Sequence, residues 1–341
     1  TGRGFRLSLC LLILSLLGTV TANLMAGLAN VAWLLFVARI LDGITGGNTS
    51  IARAIISDIT TEEQRPRAFG IFGALFRLGF VAGPPLSYLA QSIPTLPGFS
   101  SLGMGFLFSA VIALLATILC FLFLPETLDQ VSDKIKLTWK DFGFGPMIRS
   151  ASDPRFGRIF WLTFFSGFSF TIFTFAFQPF FLNVLGQNAR NLAIIFAVIG
   201  VVGFVTQVFA LDPLRQRFNL IHILASMLAA RGILFLLMPT FPNIWAFGLI
   251  ALVFSAVNSF PMPLIDALLS LKSGPNEQGE VLGINTSYLS ISNAIGPATA
   301  GILVSVSYSF PFWITGILTL LTAWFATTLN PKPVTADSPR G

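Results

Sequence analysis

Phe76-Arg77-Leu78-Gly79-Phe80-Val81-Ala82-Gly83-Pro84 lies inside one long apolar run and Ser292-Asn293-Ala294-Ile295-Gly296-Pro297 inside another, the two Gly-Pro pairs 213 residues apart. Each is introduced by a polar turn rich in acid and Gln: Glu62-Glu63-Gln64-Arg65 before the first, Asn276-Glu277-Gln278-Gly279 before the second. Gly70 and Gly283 fall on the same offset. The echo predicts two copies of one membrane-embedded unit, an arrangement that places a site between repeats near the bilayer midplane.

Composition agrees with a lipid environment. Apolar residues make up 54% of the 341 residues and charged ones 10%, against about 25% charged in soluble domains. Phe alone contributes 36 residues, more than a water-soluble fold hides. Apolar runs of about 20 residues, enough to cross a bilayer as a helix, recur along the chain. Ten spans are expected, over 5–29, 31–57, 68–91, 101–124, 158–182, 190–211, 219–238, 243–271, 281–305 and 310–330. The expected fold is an all-α polytopic membrane protein of two pseudo-symmetric helical bundles.

The charges orient it. With the first residue inside, sixteen Lys and Arg fall inside, only Arg190 outside, and Arg39, Arg77 and Arg231 within spans. That asymmetry is the positive-inside pattern, so the net charge of +6 reflects topology and calls for no nucleic acid. The polar segment 125–157, with Pro125, Pro146 and Pro154, reads as a cytoplasmic linker. It separates an amino-terminal bundle (1–124) from a carboxy-terminal bundle (158–330), with a cytoplasmic tail at 331–341. Four spans precede the second Gly-Pro helix in its own half and two precede the first, which predicts two further spans at the amino end. The intact protein would then have twelve.

Four stretches resemble the major facilitator superfamily, and within it the drug:proton antiporters that include the tetracycline exporters. Thr1-Gly2-Arg3 looks like the tail of the family's loop motif between its second and third helices. Arg39-Ile40-Leu41-Asp42-Gly43 with Gly46-Gly47 looks like the motif of the fourth helix. Gly70, Gly79, Gly83 and Pro84 match the antiporter motif of the fifth, although Ser87-Tyr88 stand where it usually closes with two glycines. Ser57-Asp58-Ile59-Thr60, with Glu63 and Arg65, is similar to the loop after the fourth helix in tetracycline exporters. The resemblance implies twelve spans, outward movement of small amphipathic cargo against entering protons, and a cytoplasmic gate in which Asp58 pairs with Arg3 and Arg65.

Individual residues carry their own arguments. Gly79 and Gly83 share a helix face that lets another backbone approach, and Pro84 cannot donate to the Phe80 carbonyl, which favours a bend. With Gly296 and Pro297 they read as a packing pivot, or as plain small-residue packing. Asp42 and Asp266 are the only acids within spans, and a buried acid in a membrane is costly enough to suggest function. Asp42 lies roughly 16 Å into its span at 1.5 Å per residue, with Arg39 one turn away and Arg77 at similar depth. These three read as a proton-coupling site; the plainer reading is a structural ion pair. Asp266, near the inner end of its span, is expected to snorkel to water, and Arg231 to face a cavity or to snorkel outward.

Gln178, Asn183, Gln207, Asn258 and Asn285 could line a cargo site walled by the phenylalanines of 164–181; interhelical hydrogen bonding is the alternative for each. His222 is the only histidine, Cys10 and Cys120 lie in separate spans, and no phosphate-binding loop is present. No enzyme activity, metal or cofactor is therefore expected, and ATP is excluded as a direct energy source. The expected partners are small-molecule cargo, protons and the lipid bilayer, for a monomer in the plasma (inner) membrane. A metabolite symporter or uniporter of the same fold, or a sensor on a transporter scaffold, is the alternative.

Overall fold

The computed structural model describes residues 7–61, 65–124, 145–273 and 278–329. Apart from a 3-10 turn at Met238–Thr240, the regular structure among these residues is α-helical. Eight of the helical segments are long and apolar enough to cross a membrane: Leu9–Gly27, Ser101–Phe123, Gly157–Asn183, Ala189–Ala210, Leu220–Leu237, Ile244–Lys272, Val281–Val306 and Phe310–Thr327. Two expected spans stand outside that set. The stretch 31–57 is broken into α2 (Ala32–Thr45) and α3 (Asn48–Ile59), each too short to cross alone at 1.5 Å per residue. The other is α4 (Arg65–Gln91), an unbroken helix of 27 residues through Pro84 and Pro85.

The chain forms two compact units, Thr1–Ile135 and Lys136–Gly341. In the first, α1 (Leu7–Gly27) packs against α5 (Ser101–Phe123) and α2, while α4 packs against α3 and α5. Glycine sets the closest crossing: a Cβ on Gly103 would collide with the Gly27 carbonyl oxygen. Small residues let helix backbones approach where lipid offers no hydrophobic drive for association.

The second unit holds α6 (Gly145–Ser150), α7 (Gly157–Asn183), α8 (Ala189–Arg217), α9 (Leu220–Leu237), α10 (Ile244–Asn258), α11 (Pro261–Lys272), α12 (Gln278–Val306) and α13 (Phe310–Thr327). Here α9 packs on α13 and α10, and α12 on α11, α13 and α7. The α9–α13 crossing is again glycine on glycine. A Cβ at Gly232 would stand 3.0 Å from the Gly316 carbonyl oxygen, and one at Gly316 3.1 Å from that of Gly232. The pairings α1–α5, α1–α2, α3–α4 and α4–α5 thus run in the same order as α9–α13, α9–α10, α11–α12 and α12–α13.

Each unit also contains one pair of helices separated by a short break, α2–α3 in the first and α10–α11 in the second. The first break falls at Gly46-Gly47 and the second at Ser259-Phe260, 213 residues on, the offset of the two Gly-Pro pairs. Gly46 is required at its break because a Cβ there would stand 2.7 Å from the Asp42 carbonyl oxygen. The freed helix end is held from α1: Ser15 Oγ donates to the Thr45 carbonyl, one of the carbonyls a helix terminus leaves unpaired. The Thr45 side chain fills the notch over Gly18.

Part of the segment expected as a linker, 145–157, is folded onto the second unit. Tyr288 Oη donates to the Met147 carbonyl at 2.9 Å, and Phe156 is buried in that unit's core. Four of the phenylalanines of 164–181 also differ from their expected role as an apolar wall, while Phe164, Phe165, Phe168 and Phe170 are half-buried and Phe175 is exposed. Phe173, Phe177, Phe180 and Phe181 are buried with Phe235, Phe247, Phe254 and Phe312, with ring centroids as close as 4.7 Å for Phe173–Phe254 and Phe180–Phe312. Aromatic rings pack on one another at such distances in tilted geometries, so these side chains form the core of the unit.

Candidate functional site

The polar centre of the first unit is built on the last two turns of α2. Arg39 and Asp42 are three residues apart on one helix face, and Arg39 Nη1 donates to Asp42 Oδ2 at 3.1 Å. Two further groups position the guanidinium. Its Nη2 lies 3.5 Å from Asn23 Oδ1 of α1, and it stands 5.5 Å from the centroid of the Phe106 ring of α5, within cation–π range. Asn23 is in turn fixed by Nδ2 donating to the Thr19 carbonyl at 2.9 Å. The pair remains open, with side chains 49% exposed for Arg39 and 27% for Asp42. It sits at the carboxyl end of α2, immediately before the break. Asn23 and Phe106 were missed by sequence reasoning; a lone Asn in an apolar span was the available signal.

Phe106 also lines a cleft of about 280 Å³ between α4 and α5, together with Gly79, Gly83, Leu86, Ser87 and Gly105. No described atom lies within 4 Å of a Cβ built at Gly79 or Gly83, so neither glycine serves a contact among the described residues. Gly296 differs: its Cβ would stand 2.6 Å from Thr171 Cγ2, where α12 crosses α7. Thr171 Oγ1 donates to Asn293 Oδ1 at 2.8 Å across that crossing. Arg77, Asp58, Arg65 and Gly70 belong to described helices, but their side-chain surroundings lie outside the described residues, as does Arg3 altogether.

The polar centre of the second unit is Arg231, only 2% exposed. It neither snorkels nor opens to a cavity. Its Nη2 donates to the Ser166 carbonyl at 3.2 Å and to Ser166 Oγ at 3.0 Å, and its Nη1 to Asn258 Oδ1 at 3.3 Å. These are neutral acceptors from α7 and α10, and the Phe235 ring lies 5.9 Å away. No described carboxylate comes within ion-pair distance, and Nε is buried without a partner. Arg231 and Asn258 lie 213 residues beyond Gly18 and Thr45. At these positions the α1–α2 contact is closed by the Thr45 side chain over Gly18 and the α9–α10 contact by the Arg231 guanidinium on Asn258.

The remaining cargo-site candidates scatter. Asn285 is buried, accepting from Thr163 Oγ1 at 2.5 Å and donating to Asp266 Oδ1 at 3.2 Å, so it joins α7, α11 and α12. Asn258 is committed to Arg231. Gln178 and Asn183 are exposed on α7, the latter bonded to its own helix at the Pro179 carbonyl. Gln207 is half-buried on α8. The described contacts bring Asn258 and Asn285 into interhelical networks and do not gather all five.

Comparison with known proteins fits this frame. The model of the Major Facilitator Superfamily matches residues 5–230 and 159–341. The chain belongs to that superfamily. It is an integral membrane transporter by family and is similar along most of its length to drug-resistance proteins. Multidrug resistance protein 1 of Bacillus subtilis is 28% identical over 93% of this chain and 79% of its own. The class H tetracycline resistance protein of Pasteurella multocida is 26% identical over 92% and 76%. Among solved structures, the human organic anion transporter MFSD10 aligns with a TM-score of 0.70 at 21% identity, over 94% of this chain and 77% of that one. At that identity the likeness speaks to fold.

Proposed function

We propose that this transporter exports small amphipathic molecules in exchange for protons, by alternating access in the plasma membrane as a monomer. The observation that carries the reading is the part-exposed Arg39–Asp42 pair beside a broken span. A carboxylate at that depth is costly unless it works, and discontinuous helices are where carriers place coupling sites. Gain of a proton at Asp42 would release Arg39 to Asn23 and Phe106; loss would recapture it. Arg77 is assigned as the second partner of Asp42. Asp58, Arg65 and Arg3 are assigned to a cytoplasmic gate. Gly70, Gly79, Gly83, Pro84, Gly296 and Pro297 are assigned to the pivot, and Gln178, Asn183 and Gln207 to cargo contacts, with Asn258 and Asn285 bracing the helices.

The same proposal completes the count of ten spans with α2–α3 and α4, and makes the two units pseudo-symmetric copies. The matching helix pairings and the repeated break support it. The drug-resistance relatives support amphipathic cargo and efflux.

The test is dye transport in proteoliposomes under an imposed pH gradient. Asp42→Asn is expected to abolish the dependence of transport on the gradient while the protein still inserts. Unchanged gradient dependence in that variant would remove Asp42 from the coupling role. Binding of dye without any flux would favour a sensor.

A further inference from the structure

A cavity of about 450 Å³ lies at one membrane end of the second unit, lined by residues 151–155 with Arg158, Trp161, Lys272 and Leu329. Three cations converge on it from two helices and the loop before α7. Two of them are held in place: Arg155 Nη2 donates to the Lys272 carbonyl at 3.0 Å, and Arg158 Nη1 to the Thr328 carbonyl at 3.2 Å. These bonds tie the start of α7 to the ends of α11 and α13, so the cavity is a built feature of the fold. Arg158 keeps further N–H groups to offer.

Among the described residues, the one acid in the wall is Asp153. Its Oδ1 accepts from the backbone N–H of Arg155 at 2.7 Å and of Phe156 at 2.9 Å. Neither Arg158 nor Lys272 has a carboxylate partner among the described residues. Like charges sharing a partly enclosed space repel, and an anion between them removes that cost. The chemistry that fits is a phosphate, with its several acceptor oxygens.

Position selects the source. The charge count puts this end inside the cell, where anionic lipid headgroups concentrate and basic pockets between helices capture them. Trp161, one turn into α7 and exposed, carries the amphipathic ring that settles at headgroup level. Leu329 adds an apolar wall. We infer that the cavity bounded by Arg155, Arg158, Trp161 and Lys272 binds the phosphate headgroup of an anionic phospholipid of the inner leaflet.

The test is native mass spectrometry of the whole protein released from nanodiscs containing equal amounts of phosphatidylglycerol and phosphatidylcholine. The wild type is expected to retain phosphatidylglycerol preferentially. Arg158→Gln with Lys272→Gln should weaken that retention about thirtyfold, and Lys272→Gln alone about fivefold, should the pair fail to insert. Arg217→Gln, which removes an exposed cation at the end of α8, should leave it unchanged. Equal retention of both lipids, or equal loss in Arg217→Gln, would reduce the effect to general surface charge and overturn the assignment. Displacement of the lipid by millimolar inorganic phosphate would place the ligand in solution and overturn it as well.

Discussion

Arg231 shows how a single residue can be committed to structure in a place where charge usually signals transport. The two terminal nitrogens of its guanidinium donate to a serine hydroxyl and two oxygens of carbonyl type, from Ser166 and Asn258, while Nε is left without a partner. Three bonds at about 0.6 kcal/mol each in a membrane interior suggest that Arg231→Met costs roughly 2 kcal/mol. Thermal unfolding in detergent should show it. Arg231→Lys should recover little, because an ammonium on a flexible stem cannot reproduce the planar fork. A Met variant as stable as wild type would mean the cage contributes no net stability, as happens when a buried charge is replaced by apolar bulk. Asp42 is the contrasting case. Its partner is charged and the pair is open, so Asp42→Asn belongs to function, with its readout in gradient dependence.

At the scale of elements, the two Gly-Pro helices are unlike in their surroundings. Gly296 is pressed against Thr171, whose β-branched side chain has little rotameric freedom in a helix. Gly296→Val should therefore destabilise the protein by about 1–3 kcal/mol through overpacking, and Thr171→Ala should restore part of the loss in the same unfolding assay. Gly83 faces open space among the described residues. Gly83→Leu is expected to leave unfolding unchanged and abolish dye transport if the pivot proposal holds. Normal transport by Gly83→Leu would remove that glycine from the pivot. The stretches 31–57 and 243–271, divided in the structure into α2–α3 and α10–α11, were read from sequence as continuous. Gly46-Gly47 was the local signal at the first break and Pro261, the first residue of α11, at the second; proline opens a helix readily but interrupts one that runs into it.

For the whole molecule, the distribution of charge makes a topological prediction. In a background with Cys10→Ser and Cys120→Ser, a cysteine introduced by Arg217→Cys should react with a membrane-impermeant maleimide only from the inside. One introduced by Arg190→Cys should react only from the outside. Both positions are exposed on the structure, so burial would not mask the result. Labelling from the opposite sides would invert the orientation and move the phospholipid cavity to the other leaflet.

The sequence by itself determined that this chain lives in lipid, that its two Gly-Pro stretches recur at a fixed offset, and that Arg39 and Asp42 meet on one helix face. Hydropathy, a fixed offset and spacing on one helix are properties of nearby residues, so a linear reading captures them. Only the tertiary structure decided that Arg231 is caged and not snorkelling, that Phe173, Phe177, Phe180 and Phe181 are core, and that three cations close around one cavity. Those outcomes depend on partners far apart in the chain, 65 residues for Ser166 with Arg231 and 117 for Arg155 with Lys272. Which helix backbones come close enough to bring such partners together is set by packing of small residues, and no local pattern encodes it.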